Sequence, residues 1–167
     1  MVFVGGRSGV GKTSAALALH AMLARRDVKH AVIEGDALDL AHPAPWEHEL
    51  AERNLSEMWR NYLDLGYRRL IFTNTVSVLH TEALARAMGG DPRVIAVLLR
   101  ARDDTAHRRL AKRETGAEFE AHVARSDAAA ERLDREAPAS VHRIDTDGRT
   151  RAEVAAAILA LTGWAQH

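Results

Sequence analysis

The sequence predicts a three-layer α/β domain, a parallel sheet of about five strands with helices on both faces. Short β-prone runs alternate with longer amphipathic stretches along the 167 residues, and parallel strands require such crossover connections. A glycine-rich turn separates the first run from the first amphipathic stretch. The chain is 47% apolar and 28% charged, which suits one globular core and a single domain over residues 1–167.

The first strand is Val2-Phe3-Val4, ending at Gly5-Gly6. A helix over 12–26 follows, with Ala16, Leu19, Met22 and Leu23 near helical spacing. Residues 30–34 read as a second strand closed by Gly35, and 36–45, with Pro43 and Pro45, as a loop. The next helix, 47–65, sets Leu50, Leu55, Met58, Trp59 and Tyr62 on one side, with Gly66 as its C-terminal stop. A third strand over 69–73, a short helix over 81–88 and a fourth strand over 94–99 come next. Asp103 or Asp104 could cap the helix over 103–113. A polar helix over 118–136, a fifth strand over 141–144 and a helix over 150–161 complete the alternation. Ligands of such sheets bind at the carboxyl ends of the strands, so the chemistry is expected in the connections that follow them.

Basic and acidic residues balance at 23 each, which gives no electrostatic reason to expect a nucleic-acid or membrane surface. The absence of cysteine excludes disulfides and thiolate metal sites. No run reaches the ~18 apolar residues of a membrane span, and the first apolar run is too short for a secretory signal. A cytoplasmic location is expected.

Gly6-Arg7-Ser8-Gly9-Val10-Gly11-Lys12-Thr13 matches the phosphate-binding P-loop (Walker A) in full, between a strand and a helix as that motif requires. Its glycines let backbone N–H groups curl around a polyphosphate, and the helix start adds partial positive charge. Gly6, Ser8, Gly9, Val10, Gly11 and Ser14 are therefore expected nucleotide contacts. Lys12 is expected to neutralise the outer phosphates, and Thr13 to ligate Mg2+.

Two further segments are informative: Ile33-Glu34-Gly35-Asp36-Ala37-Leu38-Asp39 after the second strand, and Arg108-Arg109-Leu110-Ala111-Lys112-Arg113 on a later helix. With them the chain resembles the small P-loop kinases of metabolites and nucleotides: nucleoside monophosphate, gluconate, shikimate and adenylylsulfate kinases and related antibiotic phosphotransferases. The layout is similar over nearly the whole chain. The acidic loop resembles the Asp-Gly-Asp run of adenylylsulfate kinases and the Glu-Gly-Asp and His-Pro of gluconate kinases, although His42-Pro43 comes somewhat later here. The resemblance implies the P-loop NTPase fold with a short helical lid over about 108–128. It also implies ATP and Mg2+ as cofactors and a small-molecule acceptor. Asp36, with Asp39 or Glu34 as alternatives, would face the γ-phosphate and orient or deprotonate the acceptor hydroxyl; otherwise it caps a turn. Arg109 would pack on adenine and Arg113 close on the phosphates. Their i, i+4 spacing puts both on one helix face, which otherwise is a solvated basic face. Gly148 and Arg149 would contact the base, or simply turn the chain.

The third strand ends Leu70-Ile71-Phe72-Thr73-Asn74-Thr75, without the acid that many P-loop proteins carry there. Asn74 or Thr73 would then contact substrate or magnesium-bound water, leaving Thr13 as the main protein ligand to the metal. The acceptor is expected between the loop at 36–46 and the helix at 47–65. Trp46 is a candidate ring contact there and Arg53 a candidate anchor for an anionic acceptor, whereas Trp59 reads as core. His107 and His122 are expected on polar helix faces. A non-catalytic ATP-binding regulator is the alternative function, and the acidic loop favours the enzyme.

Overall fold

The computed structural model describes residues 1–112 and 115–164, with Trp46 described by its backbone alone. Five parallel strands form one sheet: β1 (Val2–Gly5), β2 (Ala31–Glu34), β3 (Leu70–Thr73), β4 (Ile95–Arg100) and β5 (His142–Asp145), in the order β2-β3-β1-β4-β5. The helices are α1 (Lys12–Ala24), α2 (Leu50–Asp64), α3 (Thr81–Met88), α4 (Asp103–Leu110), α5 (Ala117–Glu136) and α6 (Arg151–Thr162). The three-layer α/β expectation holds, and all five predicted strands are present.

Each face of the sheet has its own core. Val2, Val4, Ile71, Val97 and Leu99 pack under α1 and α6. Phe3, Ile33, Leu70 and Phe72 pack under α2 and α3. This is why β1 and β3 are buried apolar runs rather than alternating ones. On α2, Trp59 is 1% exposed, as expected of core, but Met58 is 38% exposed. Neighbouring helix positions point about 100° apart, so the stripe that buries Trp59 turns Met58 outward; Leu63 packs inward beside Tyr62 instead. Gly66 follows α2 at φ +80, its N–H donating to the Leu63 carbonyl at 2.9 Å.

Neither Asp103 nor Asp104 caps α4. The Asp147 carboxylate, from the turn after β5, accepts the Arg102 N–H at 2.9 Å instead. Hydrogen bonding from Thr105 and from that N–H holds the Asp147 carboxyl below its ordinary range. α6 opens on a reciprocal capping box between Thr150 and Glu153. Because β1 lies between β3 and β4, the chain leaving it emerges where the strand order reverses, the place where such sheets bind ligands. Among the described residues no helix is long and apolar enough to cross a membrane.

Candidate active site

The turn from β1 into α1 is held by close packing. Gly9 has φ +79, and a Cβ there would stand 2.6 Å from the Ala106 carbonyl oxygen of α4. Glycine thus lets α4 rest directly on the loop. Lys12 is 8% exposed; its ammonium donates to the Gly6 carbonyl at 2.8 Å and lies 3.4 Å from the Thr75 hydroxyl. The Thr13 hydroxyl donates to the Glu34 carboxylate at 3.1 Å. A hydroxyl and a carboxylate side by side form the hard-oxygen donor set that suits Mg2+.

Gly35 brings the next acid into place. A Cβ at this position would lie 2.3 Å from the Phe72 ring and 2.7 Å from the Thr73 carbonyl oxygen. With only hydrogen there, the chain turns tightly through Gly35–Ala37 against the end of β3. Asp36 then accepts from the Asn74 amide at 2.8 Å and the Thr75 N–H at 3.0 Å. The Thr75 carbonyl in turn accepts the Gly6 N–H at 3.0 Å. Asp36, the end of β3 and the P-loop are thereby joined in one hydrogen-bonded chain. Asn74 acts first as a clamp on Asp36.

Three clefts adjoin this centre. One of about 380 Å³ runs beside the P-loop between Arg109, Thr146 and Arg149, with Val10 and Ser14 on its floor. A second, about 150 Å³, is walled by Ser8, Gly9, Gly11, Lys12, Thr13 and Ser14 on one side, and by Asp36, Leu110 and His122 on the other. The third, about 670 Å³, lies between the acidic loop, the start of α2 and the end of β3. The first two share Gly9, Gly11 and Ser14; the second and third share, among the described residues, Asp36 alone.

On the far side of the loop Arg7 is 3% exposed. Its Nε donates to the Ser126 hydroxyl at 3.0 Å, and its guanidinium pairs with the carboxylates of Asp103 and Asp127. His107 lies 2.7 Å from Asp127. Ser126 also donates to the Ser8 carbonyl at 3.0 Å. Asp103, His107 and Asp127 have metal-ligand character, but they converge on the Arg7 guanidinium, whose charge does the work of a cation. Burial pushes the Asp127 carboxyl up, yet the hydrogen bond from His107 and the charge of Arg7 prevail and hold it below its ordinary range. This clasp fastens α4 and α5 to the P-loop.

Most sequence-predicted residues gather here. Gly6, Ser8, Gly9, Val10, Gly11, Lys12, Thr13, Ser14, Asp36 and Asn74 surround the centre, and Arg109 and Arg149 wall the first cleft. Arg109 donates to the Val10 carbonyl and the Thr146 hydroxyl, at 3.0 and 3.1 Å. Gly148 is not on that wall; Thr146 takes its place. Arg53 is exposed and does not line the third cleft, which presents Glu49 and Glu52 from the same segment. Arg113 and the Trp46 side chain lie outside the described residues. His107 and His122 are partly buried in polar surroundings: one joins the Arg7 clasp and the other walls the second cleft. Sequence reading also missed Arg7, Ser126 and Asp127. A charged side chain inside a P-loop was the available signal, because it must find partners once buried.

A glycine-bordered loop at the sheet's switch point, with lysine and threonine at its helix end, is a P-loop set in a three-layer α/β fold. No family model and no curated protein matches the sequence. Solved structures do match. The Deinococcus radiodurans tunicamycin resistance protein is 21% identical with TM-score 0.67, over 97% of this chain and 94% of that one. A Janibacter sugar kinase is 21% identical with TM-score 0.69, over 98% and 94%. The Mycobacterium tuberculosis APS kinase, solved with AMPPNP and APS, is 22% identical with TM-score 0.65, over 97% and 96%. At these identities the likeness is one of fold.

Proposed function

We propose that this chain is an ATP-dependent phosphotransferase acting on a hydroxyl of a small molecule. One observation carries the reading: among the described residues Asp36 alone joins the phosphate-sized cleft to the larger cleft beyond it. A nucleotide lying along the P-loop, base toward Arg109 and Arg149, presents its outermost phosphate at that junction. An acceptor in the larger cleft meets it there.

Lys12 and the loop N–H groups hold the phosphates. Arg109 offers a planar guanidinium beside the base. Thr13, with Glu34 behind it, would hold Mg2+, which supplies charge neutralisation on the phosphates. Glu34 thus supplies the acid missing from the end of β3. Asp36, its orientation fixed by Asn74 and Thr75, accepts the proton of the attacking hydroxyl. The bond from that oxygen to the γ-phosphorus forms, the bond from the phosphorus to the β–γ bridging oxygen breaks, and ADP leaves. Residues near 108–128 act as the lid, with Arg113 closing on the phosphates and His122 as a wall. Such a site works by positioning and electrostatics.

The test is ADP release by Lys12→Ala, with the fold checked by circular dichroism. Loss of acceptor-dependent turnover is expected; undiminished turnover would overturn the assignment.

A further inference from the structure

The larger cleft has a sign of charge, and it differs from that expected of an anion-binding site. Asp36, Asp39, Glu49 and Glu52 line it, against Arg132 and His80. Arg132 already donates to Glu136 at 2.8 Å. Among the described residues the side chains of Asp39, Glu49 and Glu52 have no hydrogen-bond or ion-pair partner. Glu49 stands at the N-terminus of α2, where acids are common for helix stability alone, but its side chain makes no capping bond. The remaining wall mixes apolar side chains, among them Phe72, Leu84, Leu50 and Val76, with Asn74, Thr75 and Ser77.

Ionised carboxylates only accept hydrogen bonds, so the part of a ligand that meets them must donate. Hydroxyls donate, and ammonium groups donate with complementary charge. An acceptor bearing a carboxylate or phosphate would face like charge on several sides, and Arg53, the cation that could have offset it, is exposed outside the cleft. The volume, about 670 Å³, is in the ~300–1,000 Å³ range of small-molecule sites.

Resting on the phosphotransfer reading above, we propose that the acceptor is a cationic polyhydroxy compound of the amino-sugar or aminocyclitol class. Its ammonium groups are held by Glu49, Glu52 and Asp39, and one of its hydroxyls is turned to Asp36. A protonated amine has no lone pair to attack phosphorus, so the cation anchors and the hydroxyl reacts. Its oxygen takes the γ-phosphoryl of ATP, its proton goes to Asp36, and ADP departs.

The experiment compares ADP release by the full chain with acceptors matched in shape and different in charge. Glucosamine, glucose and glucuronate form one set; kanamycin and its N-acetylated form make the other. The cationic member of at least one set is expected to be favoured at least tenfold in kcat/KM. The double variant Glu49→Gln/Glu52→Gln should raise its KM about tenfold or more, the loss of at least one charge-assisted hydrogen bond. The KM for ATP should stay unchanged. Equal or better turnover of neutral or anionic members would overturn the charge assignment and leave the kinase standing. So would a double variant with unchanged kcat/KM for the cation. Silence with every compound, while Mg-ATP still raises the melting temperature, would defeat the kinase reading and this proposal with it.

Discussion

Asp36 and Glu34 sit two residues apart at the end of β2, yet the structure gives them different partners. Glu34 receives the Thr13 hydroxyl, while Asp36 receives Asn74 and Thr75. Asp36→Asn should therefore lower kcat by ~10²–10⁴ and leave nucleotide-induced thermal stabilisation intact. Glu34→Gln should instead raise the Mg2+ concentration for half-maximal activity, measured by titration at fixed ATP. Interchanged effects would contradict the division of labour. Gly35 between them is a packing requirement: Gly35→Ala pushes a methyl into Phe72 and Thr73, at an expected cost of ~1–3 kcal/mol in urea unfolding. These positions were legible in the sequence because they lie in contiguous motifs. Glu49, Glu52 and the exposure of Arg53 were not, because rotation of α2 about its axis is fixed by packing of Trp59 and Leu55.

At the scale of elements, α4 and α5 are fastened to the P-loop by Arg7, across sequence separations of 96, 119 and 120 residues. No local pattern announces such contacts, so the clasp was invisible before the fold was known. The helices themselves were expected from the sequence, although α4 ends at Leu110 rather than running on to 113. Arg7→Met should destabilise the chain and weaken ATP binding together, read by urea unfolding and by titration calorimetry. The Asp127 carboxyl is held below its ordinary value. Its contribution is therefore present above the ordinary carboxylate pKa of ~3.9, and lost as pH falls from there through the lowered value. Between neutral pH and pH ~3 the urea midpoint of the parent should fall more than that of Asp127→Asn. Identical slopes would mean that the clasp has no electrostatic role.

For the molecule as a whole, the two-faced core and the α/β layering followed from alternation of apolar runs and crossovers, whereas the strand order β2-β3-β1-β4-β5 came only with the structure. The position of β1 between β3 and β4 gave the P-loop its central place. A ligand that binds only the folded chain stabilises it by ~2.7 kcal/mol at a hundredfold excess over Kd. For a chain of this size that corresponds to roughly 5–10 °C in melting temperature. A nonhydrolysable ATP analogue with Mg2+ should produce such a shift, and Lys12→Ala should abolish most of it. An unaltered shift in that variant would remove Lys12 from the phosphate site.

Asp36, common to the two clefts among the described residues, stands where a ligand in one would meet a ligand in the other. Whatever attraction or repulsion Asp36 passes between nucleotide and acceptor is a coupling free energy, and such coupling is reciprocal. The factor by which bound nucleotide changes the affinity for acceptor must equal the factor by which acceptor changes the affinity for nucleotide. Asp36→Asn should bring both factors toward one by the same proportion.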